Sequence, residues 1–258
     1  MTLQVLVSCM NKDMDDLVSS MRLASDAIIV NQCDHYDYSE KNYDGNKVQF
    51  FSMNERGVGL SRNTALQRSE ADIILFSDED IVYDDGYASK VLEAFEARPG
   101  ADMLIFNMRV CEERFTYHTS KEKRIHSYNA GRYPTYSFAI RREKLIKTGV
   151  SYSLLFGGGA KYSAGEDSLF LMNCIKKGLR VYALPIEIGE EKARPSTWFQ
   201  GYTEKFFYDR GVLYHHLYGW LAPVFAARFI MAKKSFMCQE VPAGKAYKLI
   251  KKGIKDAK

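Results

Sequence analysis

The chain reads as one α/β domain in which a mostly parallel central sheet is flanked by helices, with a small α-helical extension at the C-terminus. Three stretches lead to that reading. Residues 3–8, 15–24 and 27–30 form an apolar run, an amphipathic run and a second apolar run, the βαβ order that gives a right-handed crossover and a parallel strand pair. Ile73-Ile74-Leu75-Phe76 places four apolar residues in a row, as in a strand buried on both faces. Directly after it, Ser77-Asp78-Glu79-Asp80 crowds three carboxyls at the point where that strand leaves the core.

Composition sets the bounds. With 258 residues, 46% hydrophobic and 26% charged, the chain can bury a sizeable core. A net charge of +4 and a pI near 8.6 suit a nucleotide diphosphate or an anionic membrane surface. That charge is too small to argue for nucleic acid as a partner. Cys9, Cys33, Cys111, Cys174 and Cys238 are scattered without metal-type spacing, the usage of free thiols in a reducing compartment. The sequence opens on a strand without a charged leader, so a cytoplasmic protein is expected. It shows no internal repeat or low-complexity linker.

Residues 3–8 are the first strand and 15–24 the helix after it. The second strand, 27–30, runs into Asn31-Gln32-Cys33-Asp34, where the two amides can either hydrogen-bond a base edge or satisfy their own turn. Residues 36–47 read as a polar surface loop, and 48–52 as the third strand. The third strand leads to Gly57 and Gly59, which allow close backbone approach to a phosphate. Residues 61–67 form a short helix capped by Ser61, with Arg62 at its start to pair with phosphate oxygens. The acidic stretch then closes the 73–76 strand. At roughly 4 Å and an effective dielectric near 20, each pair of like charges costs about 4 kcal/mol, so a divalent cation would govern this site unless the carboxyls are merely a solvated turn.

Further on, 87–98 is an amphipathic helix with Val91, Leu92 and Phe95 on one face, and Met103–Arg109 is the next strand. Residues 111–134 are polar and basic, either a mobile loop beside phosphates or a solvated surface; neither His118 nor His126 receives a role. Residues 135–140 read as a strand and 141–148 as a short helix. A flexible glycine run at 157–159 precedes Glu166-Asp167, which opens an apolar helix over 168–177 ended by Gly178. Acidic residues there suit the helix dipole alone, or serve chemistry. After a strand at 180–184, Trp198, Phe199 and Tyr202 either stack on sugar or join the core, and His215 and His216 read as packing residues before contacts to metal or phosphate. The expected boundary separates a 1–210 domain from a 211–258 extension. The extension is too interrupted to cross a membrane, and its basic end fits an interfacial helix, a cap on the domain or a dimer contact.

The loop Asn54–Ala65 with its Gly57, Gly59 and Ser61-Arg62-Asn63, followed by an apolar strand and Asp78-Glu79-Asp80, resembles the family 2 glycosyltransferases over roughly residues 3–210. The resemblance implies the GT-A fold and an inverting hexosyl- or hexosaminyltransferase that uses a nucleotide-sugar donor, with UDP expected. In that family the ends of the first two strands hold the uridine, which here implies Ser8, Asn31 and Gln32, with amides in place of the usual Asp. Gly57 and Arg62 would meet the diphosphate and Asp78 the ribose or sugar, with Glu79 a spacer. Asp80, with Asp78, would bind Mn²⁺ or Mg²⁺ across the phosphates. Gly-Glu-Asp at 165–167 matches the family's acidic pair, implying Asp167 as general base and Glu166 as the residue that orients acceptor or sugar. The implied acceptor is a saccharide, polyprenyl-diphosphate-linked in bacterial surface polysaccharide synthesis, with peripheral membrane contact through the C-terminal extension. Two other readings are a non-catalytic binding or scaffold subunit and a sugar nucleotidyltransferase. The latter needs a Gly-rich loop after the first strand, and residues 8–14 contain no glycine.

Overall fold

A computed structural model describes residues 1–110, 117–131, 133–192 and 201–257. The buried run LQVLVSCM forms β1 (Leu3–Met10), and β2 (Asp26–Gln32) and β5 (Ile73–Asp78) lie parallel to it on either side. β4 (Asn46–Met53) extends this parallel half beyond β2. The βαβ crossover is made by α1 (Met14–Met21), whose N-cap Asp13 accepts from the backbone of Asp15 and Asp16.

The second half of the sheet is mixed. β9 (Phe138–Arg141) runs antiparallel between β5 and β7 (Met103–Arg109), and β7 pairs in parallel with β10 (Val181–Glu191). β10 also carries two short antiparallel partners, β6 (Ile81–Tyr83) and β8 (Lys123–Ile125). The strand order is therefore β3-β4-β2-β1-β5-β9-β7-β10-β6, with β3 (Asp37–Tyr43) at the edge. This gives the α/β architecture expected, with its parallel core where the apolar runs placed it.

Three local expectations are corrected. Residues 36–47 are no loop: β3 forms a hairpin with β4 through Asp44-Gly45, both with positive φ. Its polar residues are exposed because an edge strand with one open face needs no apolar alternation. The segment at 135–140 begins as a 3-10 turn (Thr135–Ser137) before β9 starts. The helix expected at 61–67 is α2 (Val58–Arg68), which starts a turn earlier. Its cap is Gly57 at φ 126°, while Ser61 lies inside it, with its hydroxyl 3.0 Å from that of Ser8.

The remaining helices are α3 (Tyr87–Glu96), α4 (Arg142–Thr148), α5 (Glu166–Lys176), α6 (Glu204–Tyr218), α7 (Ala222–Met237) and α8 (Ala243–Asp256). Residue 210 falls within α6, so that helix spans the expected boundary. α6 and α8 cross at two glycines: a Cβ on Gly211 would lie 2.1 Å from the Ile250 carbonyl, and one on Gly253 2.2 Å from that of Tyr208. α6 is also fastened to the sheet domain, since buried Asp209 accepts from the Ser163 amide and hydroxyl, both at 3.1 Å. Among the described residues no helix is long and apolar enough to cross a membrane.

Candidate active site

The sheet topology fixes where a ligand can bind. From β1 the chain winds outward through β2 and β4, then returns to place β5 on the other side, so β1 and β5 flank a switch point. Ligands of open α/β sheets bind beyond the strand ends at such points. The register sets Ser8 against Asp78, Cys9 against Asn31 and Met10 against Gln32, bringing the ends of three strands together. A cleft of about 190 Å³ opens there, lined among others by Ser8, Gln32, Arg62, Asp78, Glu79 and Glu166.

Arg62 stands at its centre. It projects from α2, is 3% exposed, and bonds carboxylates from two distant elements: Nη2 to Asp78 at 2.9 Å and Nη1 to Asp167 at 2.8 Å. Glu166 lies 3.5 Å from the same Nη1. The guanidinium rests 5.3 Å from the Tyr152 ring centroid, and that ring stacks on Phe170 at 4.0 Å and meets Phe76 edge-on. Burial alone would push this guanidinium towards neutrality; the charges of Asp78 and Asp167 outweigh it and hold the group well above its ordinary pKa. Where Arg62 was expected to pair with phosphate oxygens, its terminal nitrogens bond carboxylates, because a buried cation needs counter-charge and Asp78 and Asp167 supply it.

The glycine loop is corrected for a similar reason. The Gly57 amide donates to Gln32 Oε1 at 2.8 Å, and that of Val58 to the Gly158 carbonyl at 3.0 Å. Those amides are therefore not open to a phosphate. Gly59 is a packing residue, as a Cβ there would stand 2.5 Å from the Ser153 carbonyl. Nor is the 157–159 run a flexible loop: the Gly157 amide donates to the Tyr162 carbonyl and the Tyr162 amide to that of Leu155, closing a turn, and Gly157, at φ 105°, leaves room for the Glu166 carboxyl.

Gly165 caps α5 at φ 123° and aims the acidic pair inward. Asp167 accepts from the Thr135 hydroxyl at 2.5 Å and its amide at 3.2 Å, as well as from Arg62. Glu166 faces the cleft. Burial first, then the neighbouring Asp167 charge, raises its carboxyl to about 7 against the opposing pull of Arg62. Glu79, expected as a spacer, turns back to accept from the Met10 amide at 2.8 Å and faces Lys12 at 3.9 Å. Asn31 is buried, and its amide bonds the backbone of Lys12 in both directions, which shapes the loop after β1. Of the residues expected at the site, Ser8, Gln32, Arg62, Asp78 and Glu166 line one cleft, Asp167 adjoins it through Arg62, and Asn31 and Gly57 support its wall. Asp80 sits at the turn after β5, where its carbonyl accepts from the Lys192 amide.

The sequence reading missed Thr135 and Tyr152, whose contacts span distant parts of the chain and leave no local signature. Tyr202 packs against Phe206 and Phe236, and His216 against Phe156; Trp198 and Phe199 lie outside the described residues. The oxygen-only acids at the end of β5 suit Mg²⁺ or Mn²⁺, which take one or two carboxylates and complete their shell with phosphates and water. Among the described residues, the group of three metal-type ligand atoms within 4.8 Å is instead Cys33, Asp34 and His35, so Asp78 and Asp80 offer a partial shell rather than a closed cage.

Residues 13–157, more than half of the chain, match the family described as glycosyl transferase family 2. The chain belongs to this family. The matched segment includes Arg62 and Asp78–Asp80 and ends before Glu166-Asp167. Among solved structures, this family 2 chain is similar to S. aureus TarS 1-349 in complex with UDP-GlcNAc, with a TM-score of 0.64 and 14% identity over 93% of this chain and 74% of that one. It is also similar to the mannosyltransferase PcManGT from Pyrobaculum calidifontis in complex with GDP-Man and Mn²⁺, with a TM-score of 0.54 and 12% identity over 99% and 86%. At these identities the likeness establishes the fold, which is GT-A. No curated protein matches the chain.

Proposed function

We propose that the chain is an inverting glycosyltransferase that moves a hexosyl or hexosaminyl group from UDP to a hydroxyl of a saccharide acceptor. The observation that carries this reading is the convergence of Asp78, Glu166 and Asp167 on buried Arg62 at the strand ends that form the cleft. Ser8 and Gln32 line its base end, and Asp78 and Asp80 would hold Mn²⁺ or Mg²⁺. The ion, when bound, offsets charge on the departing diphosphate. The UDP complex of TarS and the Mn²⁺ in the mannosyltransferase structure support the choice of base and ion.

In the transfer, the acceptor oxygen forms a bond to the anomeric carbon while the bond from that carbon to the phosphate oxygen breaks, its electron pair leaving with UDP. The acceptor proton passes to the acidic pair. Asp167 is the base in this reading, oriented by Arg62 and Thr135, with Glu166 against the donor sugar. One observation favours the reverse assignment: Glu166 faces the cleft with a carboxyl raised to about 7, close to the best match for proton transfer at neutral pH, whereas Asp167 already accepts three hydrogen bonds. The acceptor is a lipid-linked saccharide, brought to the site at a membrane surface that the basic α7 and α8 contact peripherally.

The test is calorimetric titration with UDP, GDP and CMP, each with and without Mn²⁺, on the native chain, Asp80→Ala and Asp167→Asn. UDP binding that needs metal, vanishes in Asp80→Ala and survives in Asp167→Asn supports the reading. Binding indifferent to metal, or lost equally in both variants, refutes the division of roles. Comparing pH–rate profiles of Asp167→Asn and Glu166→Gln assigns the base, since the limb near pH 7 disappears only in the variant lacking it.

A further inference from the structure

A second cavity, of about 450 Å³, lies apart from the cleft between α6, α7 and the 128–131 segment. One wall is aromatic and pre-assembled: Tyr218 stacks on Phe225 at 3.8 Å, and Phe229 meets Tyr214 edge-on. Tyr128 stands at the rim, 77% exposed, with one face on His126. Two cations, Arg228 and Lys233, border the same space, and among the described residues no carboxylate forms an ion pair with either. Arg228 lies close enough to Tyr214 and Tyr218 to act electrostatically on both phenols.

The groove and the cleft share no lining residue. Gly131 on the groove wall stands four residues before Thr135, which bonds Asp167. α6 borders both places: Tyr214 and Tyr218 line the groove, and Leu213 packs where a Cβ on Gly165, the cap of the acidic pair, would stand 2.6 Å away.

We infer that this groove binds the phosphate-bearing saccharide portion of the acceptor, with Arg228 and Lys233 on the phosphate and the Tyr218 and Tyr128 faces on the sugar. Sugar C–H faces stack on rigid aromatic rings, and cations without carboxylate neighbours are ready to pair with an anion. A purely apolar occupant would leave both cations unused, and a bare anion would leave the aromatic wall unused. A glycosyl phosphate uses both. The inference rests on the transferase reading for its place in the reaction, while the binding itself does not depend on it.

The probe is glucose 1-phosphate, titrated into the full chain by calorimetry beside glucose and inorganic phosphate, with UDP plus Mn²⁺ as a separate arm. Arg228 and Lys233 are exposed, so the double variant Arg228→Glu, Lys233→Glu should keep the fold. Saturable binding of glucose 1-phosphate is expected, about tenfold or more tighter than of glucose or phosphate. It should weaken at least about tenfold in the double variant, and Tyr218→Ala should erase the preference over phosphate. UDP binding with Mn²⁺ should be unchanged in both variants. Absence of glucose 1-phosphate binding, or binding equal in native and variant chains, overturns the inference. So does a groove that responds only to phosphatidylglycerol vesicles, or whose charge reversal alters only self-association. Loss of UDP binding in the native chain with glucose 1-phosphate binding intact would overturn the transferase reading and sustain the groove.

Discussion

Replacing Arg62 by Met isolates what the buried cation does. Arg62 is 3% exposed, bonds Asp78 at 2.9 Å and Asp167 at 2.8 Å, and lies 3.5 Å from Glu166. Methionine fills much of the volume against Tyr152 but leaves the three acids facing one another without a counter-charge. Breaking a buried pair by removing one partner costs about 3–5 kcal/mol. At roughly 2–4 °C per kcal/mol for a chain of this size, the melting temperature should fall by about 6–20 °C at pH 7. The deficit has a signature in pH. Without the guanidinium the carboxyls take up protons more readily in the folded state than in the unfolded chain, so stability of the variant recovers as pH falls from 7 towards 5. Urea unfolding of both proteins across that range measures it. A loss below about 1 kcal/mol, or a loss that does not change with pH, would show that Arg62 acts through packing and that the charge argument is wrong.

Glu166→Gln should flatten the pH profile of the native chain. A carboxyl raised from 4.5 to about 7 in the fold holds its proton there while the unfolded chain has lost it. The contribution is fully present below about pH 4.5 and is lost as pH rises through 7, on the order of 3 kcal/mol by linkage; an unchanged urea-midpoint profile in the variant would count against it. Gly211→Ala drives a methyl to 2.1 Å from the Ile250 carbonyl, a backbone atom that cannot swing away. Overpacking of this kind should cost about 1–3 kcal/mol and loosen α8, so that limited proteolysis cuts the C-terminal helix first; native resistance would refute it. Asp209→Ala removes the acceptor of the Ser163 amide and hydroxyl and of Lys205 Nζ. A loss of about 1–3 kcal/mol is expected, with kcat falling and metal-dependent UDP binding unchanged, because the anchored segment leads into Glu166 and not into the base end of the cleft.

The elements legible in the sequence were those whose burial is continuous. β5 announces itself through Ile73–Phe76 and then delivers Asp78 to the cleft, and Met103–Arg109 opens with four apolar residues and forms β7 over those same bounds. β3 escaped because its residues face solvent, and the far end of β10 because its register shifts around Glu187 and it carries three carboxyls. At the site, the acidic residues were recognisable from their crowding at strand and helix ends. The task of Arg62 was not, since its partners lie 16 and 105 residues away, and only the folded chain brings them onto one guanidinium. The same holds for Gly59, read as a phosphate-loop glycine, and for Gly157, read as part of a flexible run: a Cβ on them would meet the Ser153 carbonyl and the Glu166 carboxyl.

These placements bear on the divalent cation proposed for this site. Asp78, Glu79, Asp80, Glu166 and Asp167 gather around the end of β5 and the start of α5, and among the described residues Arg62 and Lys12 form ion pairs with four of them. Arg62 is already committed to three of the acids, and Lys12 faces Glu79 across 3.9 Å. A protonated Glu166 relieves part of the excess near neutral pH, which is what its raised pKa expresses. A nucleoside diphosphate adds at least two further negative charges. Each unmatched pair costs about 4 kcal/mol at 4 Å and an effective dielectric near 20, more than Arg62 and Lys12 offset by themselves. Arg62 is engaged by carboxylates, and the amides of Gly57 and Val58 by Gln32 Oε1 and the Gly158 carbonyl, so groups that could meet a phosphate are used here in holding the site together. In the proposed transferase, diphosphate recognition would then fall to a cation carried on Asp78 and Asp80.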